Sequence, residues 1–198
     1  AATMIVLAED VKGYEQFCKR MMERFGASEN QGDLERLAKV CSLAPRPVGD
    51  MDKLQELAEA AVDAVEKSDR TYWVPYHHRT VALVHLRRKE YAQAIERIGA
   101  CDRLNLDFDE RRFGDIEVSN RAIEAMCVVR RGKLQEAKEI LAKATPILKE
   151  RMADLDSFYA DEFWHDWLIA KALHDEAARL IAGGGMGDVK WGKGKQMK

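Results

Sequence analysis

Apolar residues recur at intervals of three and four along most of the chain, and the rhythm breaks where Gly or Pro intervenes. Met51, Leu54, Ala58 and Ala61 show the pattern, since at 3.6 residues per turn they share one side of a helix. The intervals predict amphipathic helices over residues 2–9, 12–25, 32–44, 50–67, 72–88, 91–103, 115–130, 133–151 and 158–182. Gly13, Gly26, Gly32, Gly49, Gly99, Gly114 and Gly132 are expected at the joints, and Pro45 and Pro47 add a stop after the third helix. Pro75 fits the first turn of the fifth helix, where amides lack intrahelical acceptors, whereas Pro146 predicts a kink or break in the eighth. Helices of this length on short connections pack as antiparallel neighbours, either as a closed bundle or as a stacked array of hairpins.

An internal repeat favours the array. Leu86-Arg87-Arg88-Lys89-Glu90-Tyr91-Ala92-Gln93-Ala94 aligns with Val129-Arg130-Arg131-Gly132-Lys133-Leu134-Gln135-Glu136-Ala137 at an offset of 43. The series Ala82, Tyr91, Ala94, Ile98, Cys101 is matched by Ala125, Leu134, Ala137, Leu141, Ala144, which puts small residues where two helices of a hairpin approach most closely. Weaker copies start at Tyr14, Phe17 and Met21 and at Met51, and a degenerate one ends in Ala177 and Ile181. These positions resemble the tetratricopeptide (TPR) pattern, although the spacing exceeds that family's 34 residues and its Trp-Leu-Gly is absent. The resemblance implies an all-α, right-handed α-α superhelix, a TPR-like solenoid of about four hairpins with a C-terminal capping helix. Residues 1–182 would form one repeat domain and residues 183–198 a flexible Gly/Lys-rich tail.

A narrower resemblance runs through Glu23-Arg24-Phe25-Gly26, Leu37-Ala38-Lys39-Val40-Cys41-Ser42-Leu43-Ala44-Pro45, Leu57-Ala58-Glu59-Ala60-Ala61-Val62, Trp164-His165-Asp166-Trp167-Leu168-Ile169 and Glu176-Ala177. These segments are similar to the helical C-terminal regions of planctomycete-type bacterial serine/threonine protein kinases. The likeness implies a kinase-associated piece of a longer protein, in keeping with an N-terminus that reads as a helix entered midway. It implies no phosphotransfer, because His78-Arg79-Thr80 lacks the catalytic-loop Asp and Phe113-Gly114-Asp115 is not Asp-Phe-Gly.

Composition sharpens the helical reading: Ala, Leu, Glu, Lys, Arg, Met and Gln supply 107 of 198 residues against 26 for Val, Ile and Thr. A net charge of -2 argues against a nucleic-acid binder, and the short apolar stretches argue against a membrane span. Cys18, Cys41, Cys101 and Cys127 form no CxxC pair and are expected to be buried thiols of a cytoplasmic protein.

Each fragment of catalytic or ligand chemistry lacks a part. Gly187-Asp188-Val189-Lys190-Trp191-Gly192-Lys193 fits a phosphate-loop spacing, but Gly194 replaces the hydroxyl residue and too little chain follows for a helix. Asn105-Leu106-Asp107-Phe108-Asp109 opens like a calcium loop, yet Glu110 takes the place of the turn Gly and Ile116 that of the bidentate Glu. Glu162 and His165 have di-iron spacing without a second such motif. His78 and His85 stand about 10 Å apart along one helix, too far to share a metal. No enzyme, cofactor or metal is expected.

Recognition remains. On the inner side of the array the repeat places Tyr76, Arg79, Leu83, Leu86, Arg87, Ala122, Met126, Val129 and Arg130, an apolar strip edged by arginines that suits a peptide or protein with acidic flanks. The same strip is equally well read as a face covered by the next helix. Phe158, Phe163, Trp164, Trp167, Leu168 and Leu173 make the last helix apolar on more than one face, so it either caps the array or forms a homodimer through Trp164 and Trp167. The expectation is a non-catalytic interaction or regulatory scaffold, with the homodimeric structural domain as the second reading.

Overall fold

The computed structural model describes residues 1–105, 114–153, 164–185 and 191. Among them lie nine α-helices and no strand: α1 (Ala2–Leu7), α2 (Val11–Phe25), α3 (Gln31–Ser42), α4 (Met51–Glu66), α5 (Val74–Arg87), α6 (Tyr91–Asn105), α7 (Gly114–Arg130), α8 (Leu134–Met152) and α9 (Trp164–Ala182). A single 3-10 turn, Thr71–Trp73, leads into α5.

Side-chain caps set several starts. Asp10 accepts from the Gly13 amide, Asn30 from Gly32 and Asp33, and Asp50 from Asp52 and Lys53, satisfying donors that have no intrahelical partner. Pro75 lies in the first turn of α5, as its missing amide requires. Two expectations need correction. Gly99 lies inside α6, not at a joint. Pro146 does not break α8, which runs on to Met152; the Thr145 hydroxyl donates to the Leu141 carbonyl at 2.9 Å in the disturbed turn.

The two aligned segments end their first helices alike. After α5, the Lys89 amide donates to Leu86 and that of Glu90 to His85; after α7, Gly132 donates to Val129 and Lys133 to Val128. Both are helix-ending turns whose pivot residue has positive φ, +64° at Lys89 and +82° at Gly132. The aligned small residues Ala82, Ala94, Cys101, Ala125, Ala137 and Ala144 are all buried, and all four cysteines are buried free thiols.

Each helix from α1 to α8 packs on its successor. In addition α3 packs on α5, α5 on α7 and α7 on α9, while α9 also lies against α8 and α1. The contact of α1 with α9 brings the first helix to the last, so one apolar core runs from Val6 and Tyr14 through Leu83, Ile123 and Met126 to Leu173 and Leu180.

Candidate functional site

The inner side of α5 decides what the molecule can bind. Every residue from Val74 to Leu86 is buried, because α3, α4, α6 and α7 surround the helix. Arg79, only 1% exposed, donates from Nη1 to Asp115 Oδ2 at 3.3 Å and from Nη2 to Asp166 Oδ1 at 3.0 Å, with its guanidinium 5.1 Å from the Tyr76 ring centre. Eight residues on, Arg87 donates to both Glu176 oxygens at 2.6 and 2.7 Å and to the Ser42 and Leu43 carbonyls at 2.8 and 2.9 Å. Two arginines of α5 therefore cross the interior to carboxylates of α9. Their spacing follows from helix geometry: residues eight and ten apart lie about 12 and 15 Å along their helices, so two cations and two carboxylates meet in register.

The carboxylates around Arg79 are forced apart electrostatically. Burial pushes the Asp115 carboxyl up to about 7; Arg79 pulls it down and neighbouring Asp166 pushes it up again. Burial also opposes charge on Asp166, but the hydrogen bond from His165 and the Arg79 guanidinium hold it well below the ordinary range. One cation thus holds one carboxylate firmly ionised and leaves the other about half protonated near pH 7. His77, on the same helix, is lowered to about 4 by burial, with Glu35 acting in the opposite sense.

The two groups act on stability with opposite signs. Between pH 4 and 7 the folded state holds the Asp115 proton more tightly than the unfolded state, so this group's stabilising contribution is lost as pH rises. For His77 the unfolded state binds the proton more tightly, so its contribution is lost as pH falls from 6.5 towards 4. Asp115→Asn removes the first effect and leaves the second. Urea titrations between pH 4 and 7 are expected to show a steeper rise of stability with pH in the variant, by at most about 1.4 kcal/mol per pH unit; parallel profiles would refute the assignment.

The expected open strip is therefore corrected: Tyr76, Arg79, Leu83, Leu86, Ala122, Met126 and Val129 are buried, and Arg79 and Arg87 are engaged with internal carboxylates. The cause is the packing of α3, α4, α6 and α7 around α5 and of α9 on α7, with Asp115 of α7 and Asp166 and Glu176 of α9 supplying the acids. Trp167 is buried too, packed so close to Gly114 that a Cβ there would lie 2.7 Å from the indole, with Arg151 over its ring. Trp164, by contrast, is 36% exposed at the start of α9.

At one end the strip reaches the surface. Leu86, Arg87, Met126, Arg130, Glu176 and Leu180 join Pro45, Arg46, Pro47, Lys89 and Tyr91 around a cleft of about 480 Å³. Its charge is lopsided, because the one carboxylate among its described lining residues, Glu176, is already paired with Arg87. Arg130 donates to the Gly185 carbonyl at 3.3 Å. Arg46 and Lys89 are exposed and make no ion pair among the described residues. Lys89 is also held in left-handed backbone where the aligned position has Gly132, a conformation that costs a non-glycine residue about 1–2 kcal/mol. Sequence reading missed Arg46, Lys89 and Tyr91 as cleft residues; the signal was a charged residue standing where its repeat partner is glycine.

The other motifs offer less. His77 lies 3.3 Å from the Ala61 carbonyl, His78 3.0 Å from Glu66, and His85 2.8 Å from Glu90, so three neighbouring histidines go to three separate partners. His165 contacts Asp166 at 3.1 Å. Glu162 and the calcium-like loop from Leu106 lie outside the described residues, as does the phosphate-loop-like segment apart from Trp191. No family model, curated protein or solved structure matches the chain.

Proposed function

We propose that the chain is a non-catalytic, TPR-like protein-interaction or regulatory module, part of a larger bacterial kinase-associated protein, that takes an acidic peptide segment in the cleft of Arg46, Lys89 and Arg130. The observation that carries this reading is the cleft itself: a concave surface rimmed by cations, of which the exposed Arg46 and Lys89 make no ion pair among the described residues. Lys89 adds weight, since a residue kept in costly backbone at a cleft rim is placed for something other than stability. The row α3, α5, α7, α9 with α4, α6 and α8 beside it, and the matched buried small residues, support the repeat architecture. The second reading, a homodimer through the last helix, draws on Trp164 alone, since Trp167 packs within the chain.

The experiment titrates a fluorescein-labelled peptide of alternating glutamate and leucine, beside its lysine counterpart, against the wild-type chain, Arg46→Glu and Lys89→Gly. Wild type is expected to bind the acidic peptide saturably and not the basic one, and Arg46→Glu to weaken binding about tenfold, which corresponds to about 1.4 kcal/mol. Lys89→Gly is expected to be more stable by about 1 kcal/mol and yet to bind more weakly. Equal binding by all three proteins, or equal binding of both peptides, would remove the cleft as the site.

A further inference from the structure

A second feature is the seat of Trp191 against α1 and α2. Trp191, six residues beyond the end turn Gly183–Gly185, is 8% exposed. Its ring stands edge-on to Tyr14, centroids 5.4 Å apart at 88°, and its Nε1–H donates to the Val6 carbonyl at 3.4 Å. The slot it enters is built by other contacts. The Tyr14 hydroxyl donates to the Val40 carbonyl at 2.6 Å and accepts from the Ala44 amide at 3.1 Å, which fixes the ring from α3. Val6 belongs to α1, which packs on both α2 and α9, and Arg179 holds Glu9 at 2.8 Å beside it. The walls are thus preorganised without residue 191.

The segment that delivers the indole is of a different kind. Six of the last sixteen residues are glycine, Trp191 is the sole aromatic among them, and Lys190 and Lys193 flank it. Ordering such a chain is entropically expensive, so a single indole with one long hydrogen bond is an exchangeable anchor.

We infer that the slot between Val6 and Tyr14 is a recognition site for a tryptophan, and that Trp191 of the protein's own C-terminal segment is its exchangeable occupant. This inference does not rest on the acidic-peptide cleft. A tethered occupant presents itself at an effective concentration of about millimolar, so a free peptide competes poorly until the tethered indole is removed.

The test uses a fluorescein-labelled peptide with the sequence of residues 186–198 and a version in which its tryptophan is alanine. Full-length Trp191→Ala, checked by circular dichroism, is expected to bind the first peptide at least tenfold more tightly than wild type does, and the second not at all. Equal binding to both proteins, no binding to the variant, or binding of the alanine peptide overturns the inference. Should the variant lose helicity, the wild type decides: millimolar unlabelled peptide is expected to shift the Trp191 indole N–H resonance to its solvent-exposed position, and an unmoved resonance overturns the inference. Wild-type dimers that dissociate on adding the peptide would place the segment in a second copy and overturn the intramolecular assignment.

Discussion

Arg79→Met is expected to lower stability by about 3–5 kcal/mol, because it leaves Asp115 and Asp166 buried without a cation. The size of the loss follows from where the carboxylates sit. At the surface such pairs contribute a fraction of this, since water solvates a bereaved charge. In the interior the only relief is protonation, so the variant should regain part of its stability on acidification, with Asp115 taking up its proton first. The triple variant Arg79→Met, Asp115→Asn, Asp166→Asn removes charge from all three positions and is expected to recover most of the loss, as uncharged replacements of buried ion clusters do. Urea midpoints of the single and triple variants check both statements. A single variant within 0.5 kcal/mol of wild type would mean that the carboxylates find other partners.

Arg87→Ala is the second large effect, expected at about 3–5 kcal/mol, and it arises differently. Arg87 satisfies Glu176 and also the carbonyls of Ser42 and Leu43 at the end of α3, so its loss orphans acceptors on two elements at once. Arg87→Lys keeps the charge but not the planar fork that reaches both, and should lose about half as much. Combining Arg87→Ala with Glu176→Gln relieves the unpaired charge but not the carbonyls, so rescue should be partial. Full rescue would assign the whole effect to the ion pair. Charge reversal at either arginine would place like charges together in the interior and destabilise the fold, so it cannot report on partner binding.

The helices were legible in the sequence to within two residues at most ends, because a 3.6-residue apolar period and its interruption by Gly and Pro are local properties. Burial of Ala82, Ala94 and Cys101 and of their partners 43 residues on was legible for a related reason, since equivalent packing positions recur when a supersecondary unit does. Arg79 and Arg87 were not legible as interior residues. Periodicity places a residue on a face of its own helix, but whether that face meets water or an acid depends on α9, which lies 87 and 89 residues away in the chain. The same holds for Trp191, whose seat on Tyr14 joins residues 177 positions apart that share no periodic pattern.

The sequence by itself determined the all-helical class, the helix limits, the repeated hairpin pattern and the reduced cysteines, because each depends on residues within one or two turns or on a recurring spacing. The tertiary structure decided that α5 is buried, that its arginines are spent on Asp115, Asp166 and Glu176, and that Arg46 and Lys89 stand exposed at the cleft with no ion pair among the described residues. The physical reason is that a charge's role is set by what desolvates it and what neutralises it, and both came from helices other than α5 itself, α3, α4, α6 and α7 burying it and α7 and α9 supplying the acids.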